Sequence, residues 1–379
     1  MKSKLGKYIQ QTDLRNKKNN NYPLYGLSNE KKFIPSIANI VGTDLSTYKV
    51  VFKDQFAYCT VTSRNGDKIS IALMKDEAAI VSSSYITFEI IDTKELLPEY
   101  LDYWFKRKEF DRYARYMSHG SVRETFNWNN MIDIDIDIPS PEKQQKIVSE
   151  FKKLEEEYND LVRKNLYLNN IISDKYLLEF DKNDTCEEYA TLSEILDVKS
   201  GYAFKSDWWT TSGNPVIKIG GIQNNTISIS DEDFVEDSNV VKAKDSIGYP
   251  KDLVIALTGA TIGKVGIIPN TYDKMYINQR VGLIKPNDKK ILPFIYASLT
   301  SKNVQNAIRA VGGDSAQENV SPDNIKSINI KKITSEKMLE FSNMIEPLYQ
   351  EINNNSEKMA YIDTLLKLLS ENIVFVGEE

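Results

Sequence analysis

A seam of apolar residues spaced alternately by four and three runs through residues 141–180 and constrains what this chain can fold into. It reads Ile147, Phe151, Leu154, Tyr158, Leu161, Asn165, Leu168 and Ile172, with no Gly in the stretch and no Pro after Pro141. That alternation marks a long helix with one stripe buried against another helix. About forty residues at ~1.5 Å each make a rod of roughly 60 Å, too long for the core helix of one compact domain. The same seam returns 194 positions later as Phe341, Ile345, Leu348, Ile352, Asn355, Met359, Ile362, Leu366 and Leu369. The chain therefore reads as two copies of one unit, each a globular domain followed by a long helix.

Weaker anchors repeat in the same order. Leu192 to Leu196 echoes Leu5 to Ile9, Pro215-Val216-Ile217 echoes Pro23-Leu24-Tyr25, and Leu292-Pro293 echoes Leu97-Pro98. Gly313 to Glu318 lies 194 positions after His119 to Glu124. The expected organisation is a first domain over 1–140, a helix over 141–180, a linker over 181–190, a second domain over 191–334 and a second helix over 335–376. The fold class is α+β: a tandem pseudo-symmetric repeat of a β-rich α/β domain and a long helix, the two helices packing as an antiparallel coiled coil. If the local dyad falls between the 161 and 165 layers, Asn165 and Asn355 come into the same or adjacent layers. There they would fix the register at some cost in stability. Pro347 should kink or split the second helix near Asn343 to Pro347.

Within the first domain, β-like runs occupy 48–52, 55–61, 69–74 and 78–91, with Asn65-Gly66-Asp67 as a hairpin turn. Leu97-Pro98-Glu99 opens a helix that runs to Met117 and ends at His119-Gly120, carrying Tyr103, Trp104, Phe105 and Phe110 as core residues. The strict alternation at 132–139 predicts a strand, and Ser140 is placed to cap the long helix.

The chain has 379 residues, enough for two domains with real cores, and its 41% hydrophobic and 27% charged content suits a soluble protein. No apolar run reaches the ~20 residues that span a bilayer, and the N-terminus lacks the apolar core of a secretory signal. Two cysteines, Cys59 and Cys186, cannot make a metal cluster, so a cytoplasmic location is expected. The net charge of −6 is unevenly spread: Lys and Arg outnumber Asp and Glu by 20 to 18 in residues 1–140 and by 17 to 15 in 190–334, but are outnumbered 3 to 9 in 335–379. A DNA partner would meet local basic faces on the two domains.

Catalytic motifs are absent. There is no Gly-x-x-x-x-Gly-Lys-Ser/Thr phosphate loop, no Gly-x-Gly-x-x-Gly, and His119 is the only histidine. Asp133, Asp135 and Asp137 share one strand face and read as a solvated face rather than a metal site.

The second domain carries a set of Gly- and Thr-rich turns. Small residues allow a partner to approach the backbone. Lys205, Lys218, Lys264 and Arg280 offer charge to phosphates, Thr258 and Thr261 offer hydroxyls, and Asn278, Arg280 and Gln317 can read base edges. The corresponding residues of the first domain are Arg64, Ser84, Ser121 and Arg123, with Arg112 and Arg115 on a helix face that starts at Lys108.

Several of these stretches resemble the specificity subunit of type I restriction-modification enzymes over essentially the whole chain. The most specific are GYAFKS (201–206), PVIKIGGI (215–222), LTGATIGKVG (257–266), INQRV (277–281), SAQENVS (315–321) and PSPEKQQKIVSEF (139–151). The resemblance implies two target-recognition domains, each reading one half of a bipartite double-stranded DNA site, and two helices setting the gap. It further implies that this chain binds no cofactor. S-adenosylmethionine, ATP and magnesium would belong to partner methyltransferase and restriction subunits. A recognition subunit of a related methyltransferase-nuclease system, or a coiled-coil scaffold without DNA affinity, would share much of this pattern.

Overall fold

The computed structural model describes residues 3–18, 20–36, 42–62, 68–118, 124–181, 188–312 and 319–373. They form two compact units, one of residues 1–154 with 366–379 and one of residues 155–365.

The first unit is built on a four-stranded antiparallel sheet in the order Ile9–Thr12, Tyr85–Ile90, Phe56–Cys59, Ile71–Leu73. Alternating large apolar residues on these strands bury one face. Phe56 stacks on Phe88 at 5.0 Å, and Phe105 meets both edge-on. Tyr103, Trp104, Phe105 and Phe110 are all buried, as their spacing predicts. The helix expected from 97 to 117 is instead two helices, Pro98–Phe105 and Lys108–Tyr116. Arg107 breaks it by taking an extended conformation (φ −71°, ψ 147°). Among the described residues, the strand expected over 132–139 is Asp135–Ile136, paired with Ser3–Lys4, and the helix Trp128–Ile132 takes the residues before it. Lys4 Nζ lies 3.1 Å from Asp133 and 3.0 Å from Asp135, which accounts for those carboxylates as a surface ion-paired face. From the long helices, Ile147, Val148, Phe151, Leu366 and Leu369 enter this core, joined by Ile373 just past the second helix.

The second unit repeats the plan. Its sheet runs Leu196–Ser200, Val281–Pro286, Leu253–Ala256, Val265–Ile267, all antiparallel and in the same spatial order. The helices Leu292–Thr300, Lys302–Gly312 and Pro322–Lys326 follow as their counterparts do in the first unit. A second, five-stranded sheet is joined through a parallel pairing of Asn214–Ile217 with Met275–Ile277.

Both long helices contribute to this second unit, and their contacts run antiparallel. Tyr176 and Phe180 pack on Phe341, Lys175 Nζ lies 3.8 Å from the Met344 sulfur, Lys164 pairs with Glu351, and Asn165 meets Asn355. The helices span Pro141–Tyr176, continued by a π-turn at Leu177–Asp181, and Ser335–Asn372. Ser140 Oγ accepts from the Lys143 N–H at 3.5 Å at the start of the first. The split expected at Pro347 does not occur: the second helix passes through it. Pro347 and Asn343 are both exposed, so the Asn343 carbonyl that proline leaves without a donor can turn to water.

The two seam asparagines share a layer. Both are fully buried, and Asn355 Nδ2 donates to Asn165 Oδ1 at 2.8 Å. Cutting one side chain back strands a buried amide, so Asn355→Ala is expected to cost about 1–3 kcal/mol. The double variant Asn165→Leu/Asn355→Leu should recover most of it. Urea unfolding of the single and double variants measures the coupling; additive losses would show that the amides do not act as a pair.

Candidate nucleic-acid interface

In the second unit the candidate turns converge on one end of the four-stranded sheet. The Leu257 N–H donates to the Arg280 carbonyl at 3.0 Å, Val320 N–H to Leu257 O at 2.8 Å, and Thr258 bridges Asn319. Gly201 N–H donates to Val281 O at 3.1 Å and Tyr202 N–H to Ile277 O at 2.8 Å. Gly201 is required there: a Cβ would lie 2.1 Å from the Ile277 carbonyl oxygen. Gly259 (φ +67°) and Gly263 (φ +81°) supply the left-handed residues of the turn 258–264. Thr261 Oγ1 donates to Thr258 O at 3.1 Å, and Lys264 N–H donates to Thr261 O.

This end brings together Thr258, Thr261, Lys264, Asn278 and Arg280. Lys205 joins them through Tyr202, and Lys218 follows Ile217, whose carbonyl accepts the Asn278 N–H at 3.1 Å. They differ in what they can offer. Lys205, Lys264 and Arg280 are exposed, with Lys205 Nζ 5.2 Å from the Trp208 ring centroid. Lys218 already has local partners: its Nζ is 2.6 Å from Asp233, donates to Glu232 O, and sits 3.5 Å from the Trp209 ring centroid. Asn278 is buried (8% exposed), and its Oδ1 accepts the Arg280 N–H at 3.4 Å, so its amide shapes the turn that presents Arg280.

The first unit closes the same sheet end the same way. Val61 bridges Thr125 as Thr258 bridges Asn319, Thr62 N–H donates to Glu124 O, and Phe126 N–H to Thr60 O. Ser84 is exposed in the adjoining turn, its Oγ 2.9 Å from Ser82 Oγ, and Tyr85 beside it pairs with Cys59. Burial pushes the Cys59 thiol up, so it stays a neutral thiol. Of the helix stripe, Arg115 is ion-paired with Glu124, Lys108 lies 3.6 Å from Glu371, and Arg112 is exposed. Arg64, Ser121, Arg123 and Gln317, with the Asn65–Asp67 turn and His119, lie outside the described residues.

Two residues that sequence reasoning passed over touch or flank these turns. Gln305 reaches across from the helix Lys302–Gly312 to the turn 258–264, and Arg309 follows it by one helical turn. The signal for Arg309 was present: it lies 194 positions after Arg115. Among the described residues, no group of acidic, His or Cys side chains could hold a metal ion, and no helix is long and apolar enough to cross a membrane.

Comparison with known proteins agrees with this duplicated plan. The chain is 23% identical over 308 residues to the MjaIX type I restriction enzyme specificity subunit of Methanocaldococcus jannaschii, covering 76% of this chain and 70% of that subunit. Its fold is similar to the crystal structure of a type I restriction-modification S subunit from M. genitalium (TM-score 0.50, 14% identity, 99% of this chain and 96% of that one). The model of the type I restriction modification DNA specificity domain matches twice, over residues 2–167 and 186–358. The chain belongs to the type I restriction-modification DNA specificity family.

Proposed function

We propose that this chain is the DNA-reading subunit of a methyltransferase or restriction complex, each unit recognising one half of a bipartite double-stranded target. The observation that carries this reading is the sheet end closed by equivalent bridges, Val61 to Thr125 and Thr258 to Asn319, which presents different exposed polar side chains in each unit. A common scaffold with divergent tips suits two half-sites of different sequence. The paired long helices would set the spacer between half-sites and offer a surface to methyltransferase subunits. The chain itself catalyses nothing in this scheme and works in the cytoplasm. S-adenosylmethionine binds the methyltransferase subunits, and ATP with magnesium serves the restriction subunits. Asn165 and Asn355 would hold the register on which the spacer length depends.

The test uses the full chain assembled with its methyltransferase subunits, on duplexes carrying the methylation motif of the host DNA. Protection of a split site is expected. Arg280→Ala should weaken discrimination by about 1–3 kcal/mol at one half-site and leave the other unchanged. Equal loss at both would mark folding damage, and an unsplit footprint would overturn the bipartite reading.

A further inference from the structure

We infer that the helix Lys302–Gly312 is part of the DNA-contacting surface of the second unit, with Arg309 binding a backbone phosphate and Gln305 as the positioning residue for the turn 258–264. The inference rests on the proposed reading of that sheet end as the face that meets DNA.

The helix and the turn are fitted to one another. Gln305 Nε2 donates to the Gly263 carbonyl at 2.8 Å and to the Leu299 carbonyl at 2.7 Å. One amide thus ties the turn to the end of the preceding helix, Leu292–Thr300. A side chain at Gly263 would press on this amide: a Cβ would lie 2.9 Å from Gln305 Oε1 and 3.3 Å from Ile308 Cγ2, and the φ of +81° disfavours one in any case. Val304 and Ile308 are buried in the core and fix the helix's rotation. Lys264, the exposed cation of the turn, directly follows the residue that Gln305 holds. The turn therefore presents Thr261 and Lys264 from a backbone whose position is set through Gln305.

Arg309 stands four residues beyond Gln305, on a neighbouring part of the helix surface and one turn nearer its C-terminal end. It is exposed. Ile308, the residue before it, borders the turn, its Cγ2 lying 3.3 Å from where a Cβ on Gly263 would stand, so the C-terminal half of the helix lies beside the turn. Arg115, 194 residues earlier, occupies the matching helix of the first unit, where it is ion-paired with Glu124. A guanidinium at this place can donate two N–H bonds side by side to the oxygens of one phosphate without reading sequence.

These roles give separable results. In the full chain assembled with its methyltransferase subunits, anisotropy titrations are run on target duplexes over a range of salt. Arg309→Ala should lower the slope of log affinity against log salt by about 0.9, weaken binding about three- to tenfold, and leave sequence discrimination intact. Arg309→Lys should restore the slope. Gln305→Met keeps the bulk and loses the amide. It should leave the slope alone and reduce discrimination at the second unit's half-site about tenfold, with the first half-site unaffected. A wild-type slope in both Arg309→Ala and Arg309→Gln overturns the phosphate contact. Full discrimination in Gln305→Met, or equal loss at both half-sites, overturns the positioning role. A wild-type complex indifferent to DNA would overturn the functional reading itself, and this inference with it.

Discussion

Asp111→Ala is expected to destabilise the first unit by about 3–5 kcal/mol, because it leaves a buried lysine without its counter-charge. Lys31 is only 6% exposed and sits in the left-handed region at φ +58°. Its Nζ lies 2.8 Å from Asp111, donates to the Phe105 carbonyl at 2.5 Å, and is 5.3 Å from the Phe110 ring centroid. Asp111 also accepts the Ile69 N–H, so the loss reaches a second element. Desolvation is the largest influence on Lys31 and pulls its pKa below the usual lysine value; the attraction of Asp111 opposes it. The sign follows from the proton count. Between the lowered folded pKa and the ordinary unfolded one, the unfolded chain binds more protons, so stability rises with pH in that window. Without Asp111 the folded pKa falls further and the window widens downward. Urea unfolding at about pH 7 and about pH 9.5 should show the variant regaining part of its loss at the higher pH, more than wild type gains. The paired replacement Lys31→Met/Asp111→Leu should be far milder than Asp111→Ala. A single variant that loses under about 1 kcal/mol would mean that the ammonium finds water or another partner.

The duplicated architecture was legible because periodicity is local. The 4,3 seam predicted which positions bury: Ile147, Phe151, Leu161, Asn165, Leu168 and Ile172 do. A repeat of 194 residues was legible because equivalent strands and helices occupy equivalent places. What the sequence hid depends on contacts made by distant residues. Nothing near Lys31 announces that it will be buried against Asp111, eighty residues on. Nothing at Lys218 points to Asp233 and Trp209, which neutralise it and cover it. Asn278 looked like a base reader by residue type, but its burial makes it the frame for Arg280. The break at Arg107 was hidden because no Gly or Pro stands between Pro98 and Met117 to mark it, though one continuous helix would have carried Phe110 away from Phe105. Gln305 carries no motif, because its partner is a backbone carbonyl rather than a side chain.

The strongest single-residue effect expected on the second unit is at the first position of the repeated seam. Phe341 is 1% exposed, and three rings surround it: Phe180 at 5.0 Å, Tyr176 at 6.0 Å and Phe294 at 6.1 Å, all near edge-to-face. Those rings come from the first long helix and its π-turn and from the helix Leu292–Thr300, so one side chain joins both long helices to the domain core. Phe341→Ala removes the ring from a close-packed setting that can collapse only partly, at a cost of about 3–5 kcal/mol. The edge-to-face contacts add to the simple transfer cost. Phe341→Leu, which refills most of the volume, should lose far less, on the order of 1.5 kcal/mol. Denaturant midpoints give the magnitudes, and hydrogen exchange locates the change, with protection lost first in residues 155–365. At the equivalent seam position of the first unit, Ile147 meets the core with a smaller side chain at 7% exposure. Ile147→Ala should therefore fall lower in the range of about 2–5 kcal/mol expected for buried isoleucines. If Phe341→Ala and Phe341→Leu unfold at the same midpoint, the refilled volume contributes nothing and the stability of this layer comes from the ring contacts rather than from burial.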